Sequence, residues 1–319
     1  MRLSPFFPMA LLLFSTAACT GSKAPPIQRD YNVSKITGRV YVIHGPDQSP
    51  NKENQGFINN PGFVLVRGGV VVVDPGSSVQ IGEMVLGKIA AITKDPVIAV
   101  FNTHFHGDHW LGNQAIKAAY PKAVIYAHPR MVEALKGGEG DNWVKFLSDA
   151  TNGAIRGTVV IAPDLGLDHD ESLKLHGTTF RLTHNDRAHT DNDLMVEVVE
   201  EGVLFLGDNV RNKSIAANFP EHGSAKGQID AIDMVLKSKA THFIPGHGLS
   251  GGREIVLAER KFLVALRAAV KKYYDQGMSD FEMKDKVMTD LVAYKDWVFF
   301  NNLGRVISAT YLQIESESF

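Results

Sequence analysis

Residues 101–113 read FNTHFHGDHWLGN, and no other stretch constrains the chain as strongly. It sets three histidines and one aspartate, His104, His106, Asp108 and His109, within six positions. Imidazole and carboxylate are good ligands for a borderline divalent ion such as zinc. The preceding run, PVIAVF, is almost wholly apolar, as in a strand covered on both faces. The cluster is therefore expected at the carboxyl end of a buried strand. In extended backbone, residues two apart point to the same side, so His104 and His106 can reach one ion. Asp108 and His109 follow across a turn that Gly107 permits and point to a neighbouring position. One short loop then serves two adjacent metal positions.

Two ions need more ligands than four. Three further candidates have the same placement, each just past a strand: His189 in RAHTDND, Asp208 in VLFLGDN and His247 in FIPGHG. Of the remaining histidines, His44, His128, His169, His176, His184 and His242 lie outside these motifs and read as hydrogen-bonded or surface side chains. Cys19 is the only cysteine, so the fold has no thiolate ligand, thiol nucleophile or internal disulfide.

The elements follow a repeating order. RVYVIHG alternates as a strand, and GFVLVRGGVVVVDPG reads as a hairpin about Arg-Gly-Gly. SSVQIGEMVLGKIAAIT has helical spacing behind a Ser77 or Ser78 cap. Helices are expected at LGNQAIKAAYP, RMVEALKGG and DNWVKFLSDA, with strand AVIYAHP among them. Two more hairpins follow, SLKLHG with TTFRLTH and then DLMVEVVEEGVLFLGD. Helix GQIDAIDMVLKSKA, strand HFIP and a mainly helical end complete the chain. WVFFNNLGRVISATYLQIE reads as a closing helix, with Trp297 and Tyr311 in the core. Strands and helices, then strands and helices again, predict a layered mixed α/β core. The 319 residues are 44% hydrophobic, enough to fill one. A formal charge of −2 leaves no electrostatic footprint for nucleic acid.

The first residues, MRLSPFFPMALLLFSTAAC, have one arginine, an apolar run and then small residues. That is the form of a secretory signal over residues 1–18. TAAC resembles a lipobox that would make Cys19 the lipid-bearing residue, although Thr16 stands where Leu is commoner. The alternative is a plain signal cut after Ala18. Residues 19–33 read as a polar tether, and 34–319 as the folded domain. The expected place is the periplasm, with membrane contact only through the lipid anchor.

With His-x-His-x-Asp-His at 104–109 followed in order by His189, Asp208 and His247, the chain resembles the metallo-β-lactamase fold superfamily over residues 34–319. The resemblance implies an αββα sandwich of two mixed β-sheets flanked by helices, with the site at one edge. It also implies two zinc ions. One would be held by His104, His106 and His189, the other by Asp108, His109 and His247, with Asp208 bridging both. Asp208 stands where the best-known zinc β-lactamases commonly have cysteine. Glyoxalase II-like thioesterases, lactonases and phosphotriesterases have aspartate there. His106 stands where flavodiiron proteins carry glutamate, which opposes a di-iron reading. HTDND resembles the HTDGD of many exported hydrolases.

Two close ions lower the pKa of a shared water and take the charge that develops on a carbonyl oxygen. Asp108 is the expected catalytic residue, orienting the hydroxide or passing its proton. The expected function is dinuclear zinc-dependent hydrolysis of an ester, thioester, lactone or amide-type bond in a small-molecule substrate. A class B-like β-lactamase is the alternative within that chemistry. A nuclease is opposed by the signal and the charge, and a non-catalytic zinc-binding lipoprotein by the complete ligand set. Asp74, in VVVDPG, matches a buttressing aspartate or is a turn residue; Thr190, Asp193 and His184 are weaker supports of the same kind. Asn60, Asn209, Arg211, Phe219 and His222 flank the site and read first as solvated loop residues, second as a pocket lining.

Overall fold

The computed structural model describes residues 22–215 and 222–318. The expected signal, Cys19 and Phe219 lie outside the described residues. The strands are β1 (Val33–Lys35), β2 (Val40–Ile43), β3 (Gly62–Val66), β4 (Gly69–Val73), β5 (Val97–Phe101), β6 (Val124–Ala127), β7 (Leu165–Gly166), β8 (Ser172–Leu175), β9 (Thr178–Thr183), β10 (Met195–Val198), β11 (Val203–Phe205) and β12 (His242–Ile244). The first seven form one sheet in chain order, and the other five form a second in the order β12-β11-β10-β9-β8. Both are mixed: β4, β5, β6 and β7 run parallel, as do β11 and β12, while the other pairs are antiparallel.

The reason for two layers is visible in β4, GVVVV, whose five residues are all buried. Val71 and Val73 meet Phe180, Val196 and Phe205 of the second sheet, while Val70 and Val72 face away into a core with Ile81, Val85 and Ile116. A strand covered on both sides has no use for polar alternation. Helices α1 (Val79–Ile92) and α3 (Asn113–Ala119), on either side of the short α2 (Gly107–Trp110), cover the first sheet. After α4 (Pro129–Lys136) and α5 (Glu139–Ala150), the second sheet is covered by α6 (Ala225–Val235), α7 (Arg253–Tyr274), α8 (Asp280–Asp290) and α9 (Leu303–Ser316). This is the expected αββα sandwich. The Ser78 side chain caps α1, accepting from Ile81 N. No helix among the described residues is long and apolar enough to cross a membrane.

Three expectations are corrected. The closing helix starts at Leu303, not Trp297, because Phe299 takes a left-handed φ of 64° that ends any continuous helix. Trp297 and Tyr311 do pack as core neighbours, against Phe262 and Tyr274. The stretch expected as a tether is laid against the domain over residues 22–33: Ala24 N donates to Arg156 O, and Tyr31 is buried edge-on to Phe57. Gly107 has no left-handed backbone and opens a helical turn. It is glycine because a Cβ there would lie 2.7 Å from Trp143 Cβ.

Candidate metal centre

Every expected ligand lies past the carboxyl end of a strand at one edge of the sandwich. His104 and His106 follow β5, and Asp108 and His109 ride on α2. His189 follows β9, Asp208 follows β11 and His247 follows β12. The two sheets are tied together here: Leu194 N donates to Thr103 O at 2.7 Å, and Asn60 N, just before β3, to Gly246 O at 3.0 Å. All seven side chains are buried.

They assemble as three overlapping groups, each able to bring its ligand atoms within 4.8 Å: His104 with His106 and His189, Asp108 with His109 and His247, and His104 with His109 and Asp208. Asp208 joins the first two. Its Oδ1 is 3.3 Å from His109 Nε2, and its Oδ2 is 3.4 Å from His247 Nε2 and 3.7 Å from His189 Nε2. Asp108 Oδ2 is 3.2 Å from His247 Nε2 and 3.4 Å from His109 Nε2. His106 Nδ1 faces His189 Nε2 at 3.0 Å.

The donor set fits a cation. Thr103 Oγ1 gives its one proton to Asp74 Oδ2 at 2.6 Å, so it accepts from His104 Nδ1 at 3.0 Å. His109 Nδ1 donates to Asp74 Oδ2, and His247 Nδ1 to the Ile58 carbonyl, both at 2.9 Å. With each Nδ1 carrying a proton, the neutral rings keep a lone pair on Nε2, the arrangement in which histidine binds metal. His104 Nε2, His109 Nε2 and Asp208 Oδ1 are buried and make no hydrogen bond. Burial opposes the charge on Asp108 and Asp208, yet neighbouring histidines hold both well below the usual carboxylate range, helped by Arg211 at Asp208. Burial would likewise lower His109, but Asp108, Asp208 and Asp74 raise it well above an ordinary histidine. Burial and then His109, His106 and His189 hold His104 well below an ordinary histidine, and burial and then His189 do the same to His106. Three buried carboxylates in one place demand positive charge, and bound divalent metal would supply it.

Asp74 has the buttressing role, since it also accepts from Thr103 N at 2.8 Å. Asp193 accepts from Thr190 N at 2.8 Å and Thr190 Oγ1 at 2.6 Å, closing the loop that carries His189. His184 Nδ1 donates to the Asp193 carbonyl at 2.7 Å. His184 also gathers with His128 and Asp168 in a further group of potential ligands. That group cannot bind an ion well. The two rings stack at 3.8 Å with planes 17° apart, and a metal must lie in the plane of each ring it binds. Near-parallel planes one ring thickness apart share no such point. His128 instead caps α4 through Arg130 N and faces Asp168 Oδ1 at 3.3 Å. Burial, and then His184, push its pKa down to about 4.

Two expected loop residues are neither solvated nor in the pocket. Asn60 is buried and donates to the Pro245 and Gly248 carbonyls at 2.9 and 2.7 Å, holding the loop of His247. Asn209 Oδ1 accepts from His189 N at 3.2 Å. Arg211 does line the cleft, with Nη1 3.3 Å from Asp208 Oδ2. His222 lies 5.2 Å from the Phe105 ring beside it. The cleft over the ligands has a volume of about 250 Å³, and its other walls include Trp143, Phe146, Phe299 and Arg305. Sequence reasoning did not place these four. The spacing of Trp143 and Phe146, one helical turn apart in the polar segment DNWVKFLSDA, was the available signal for two of them.

The chain matches the family model described as the metallo-beta-lactamase superfamily over residues 55–247. It is 46% identical over 171 residues to a hydroxyacylglutathione hydrolase of Synechococcus sp. (strain JA-3-3Ab), covering 54% of this chain and 48% of that protein. It is 24% identical over 167 residues to one of Francisella tularensis subsp. novicida (strain U112), covering 52% of this chain and 53% of that one. The chain thus spans about half the length of these curated relatives. Among solved structures it resembles a metallo-beta-lactamase from Pontibacter korlensis, with a TM-score of 0.57 and 20% identity over 73% of this chain and 99% of that one. It also resembles the sec-alkylsulfatase Pisa1 from Pseudomonas sp., with a TM-score of 0.64 and 14% identity over 89% of this chain and 50% of that one. At these identities the structural likeness speaks for the fold alone.

Proposed function

The chain belongs to the metallo-β-lactamase superfamily, and from that premise and the geometry of the cage we propose that it is an exported hydrolase holding two zinc ions, acting on an ester-type bond and on thioesters first. The observation that carries this reading is Asp208, whose two oxygens reach histidines of both ligand groups. The name shared by the curated relatives, hydroxyacylglutathione hydrolase, supports the thioester.

His104, His106 and His189 would hold one ion, and Asp108, His109 and His247 the other, with Asp208 between them. Bound there, divalent ions supply Lewis acidity, which acidifies water and polarises a carbonyl. The protein does the rest. Asp108, at 8% the most exposed of the seven, borders the cleft and can take a proton from the attacking water and return it to the leaving group. Asp74 fixes the His109 tautomer. Arg211 adds to His247 and His109 in keeping the Asp208 carboxylate ionised, and orients it. Export, and lipid attachment at Cys19, are supported by the residue pattern of the first nineteen positions.

The test is a metal count on the purified protein with a panel of thioesters, lactones, β-lactams, and sulfate and phosphate esters, run beside His106→Ala. About two equivalents of zinc and thioester hydrolysis that the variant loses are expected. Less than one equivalent, or activity that the variant keeps, overturns the reading. Fractionating cells that express the full chain and Cys19→Ala tests the location; the variant is expected to leave the membrane fraction.

A further inference from the structure

The cleft above the cage has two unlike arms, which meet beside His106. On one side lies a hollow of about 360 Å³ bordered by Phe105, Trp143, Phe146 and His222. Trp143 stands 4.9 Å from the His106 ring, and Phe146 packs edge-on to Trp143 at 5.5 Å. Among the described residues Phe146 is 53% exposed, a large apolar ring that only partly packs. Among the described residues, the one charged side chain bordering this hollow is Glu139, which would repel an anion. On the other side stand Arg211, Phe299 and Arg305. Arg211 is committed: it reaches Asp208 and Asp47, and its guanidinium lies 6.0 Å from the Phe299 ring. Arg305, exposed in the first turn of α9, makes no ion pair or hydrogen bond among the described residues. Phe299 holds its ring on this side from a left-handed φ of 64°, a conformation that costs a non-glycine residue energy.

We infer that the substrate is bipartite, with an apolar alkyl or aryl group on one side of the scissile bond and an anionic group on the other. The apolar group covers Trp143 and Phe146, and the anion is met by Arg305. The bond between them then lies over the cage. This inference rests on the hydrolase reading, and it adds Arg305 as the residue that selects for charge.

The probes are two thioesters with the same hexanoyl group, one on 3-mercaptopropionate and one on its neutral amide, together with the matching non-hydrolysable S-hexyl thioethers. With the zinc-loaded full chain, the charged thioester is expected to have about tenfold higher kcat/KM, and its thioether to bind about tenfold tighter by calorimetry. Arg305→Ala should raise KM for the charged thioester far more than for the neutral one, and Arg305→Lys should recover most of the difference. Trp143→Ala should erase the preference for hexanoyl over acetyl. Equal binding of the charged and neutral thioethers, or an Arg305→Ala effect of the same size on both, overturns the inference. If neither thioester is hydrolysed, the preference for thioesters fails by itself, and the thioether pair still decides whether the arms differ.

Discussion

Asp74 Oδ2 accepts a hydrogen bond from His109 Nδ1 at 2.9 Å, and both side chains are buried. The carboxylate thereby sets which nitrogen of His109 carries the proton and which points into the cage. Asp74 is itself held in a left-handed conformation at φ 52° and bonded to Thr103 N and Oγ1. Asp74→Asn keeps the size and removes the charge. Zinc affinity at the Asp108, His109 and His247 position is expected to fall by about 10- to 100-fold. Competition with a zinc-binding dye measures it, and an unchanged affinity would assign Asp74 to the turn alone.

Removing metal should loosen the whole edge of the sandwich. Asp74, Asp108 and Asp208 then remain buried together with only histidine protons and Arg211 to balance them. At zinc concentrations about a thousandfold above Kd, binding adds about 4 kcal/mol, so a chelator should lower Tm by roughly 10 °C. Thermal denaturation with and without chelator, followed by zinc add-back, checks this. A Tm indifferent to chelation would mean that the seven ligands hold no ion.

The parts legible in the sequence were those with a local signature. The ligands stood out because each follows a strand, and the hairpin turns because Arg67-Gly68 and His176-Gly177 carry the residues that such turns demand. What stayed hidden depends on distant partners. Asn60 looked like a loop residue because its partners, Pro245 and Gly248, lie at the far end of the chain. Gly107 looked like a turn residue because its constraint, Trp143, sits on another helix. The onset of α9 was misplaced because apolar spacing cannot report one left-handed residue at Phe299. The same break brings Phe299 into the cleft, so misreading the helix also hid a wall of the site.

Gly246 is the tightest glycine against a ligand. A Cβ there would come within 1.9 Å of Asp208 Oδ1 and 2.9 Å of the Gly207 carbonyl carbon. Gly246→Ala must therefore push the carboxylate that joins the two ligand groups. Stability is expected to drop by about 1–3 kcal/mol, as in other overpacked sites. Metal content should fall toward one ion per chain with the far-UV spectrum retained. A variant that keeps both ions would show that Asp208 can swing aside without losing its grip.

Glu259, on α7, is buried with Oε2 unpartnered, and burial pushes its pKa up to about 8 against the pull of Arg211. The sign of its effect on stability follows from linkage. Between an ordinary value of 4.5 and about 8, the folded chain keeps a proton that the unfolded chain has lost, so rising pH favours unfolding across that interval. The contribution is complete below the lower value and gone above the upper one. Glu259→Gln keeps the shape and cannot ionise. Its advantage over the parent should be small at pH 4.5 and grow to ~5 kcal/mol by pH 8.5. Urea unfolding of both proteins across that range measures it. Parallel pH profiles would mean that Glu259 finds a partner for its charge inside the fold.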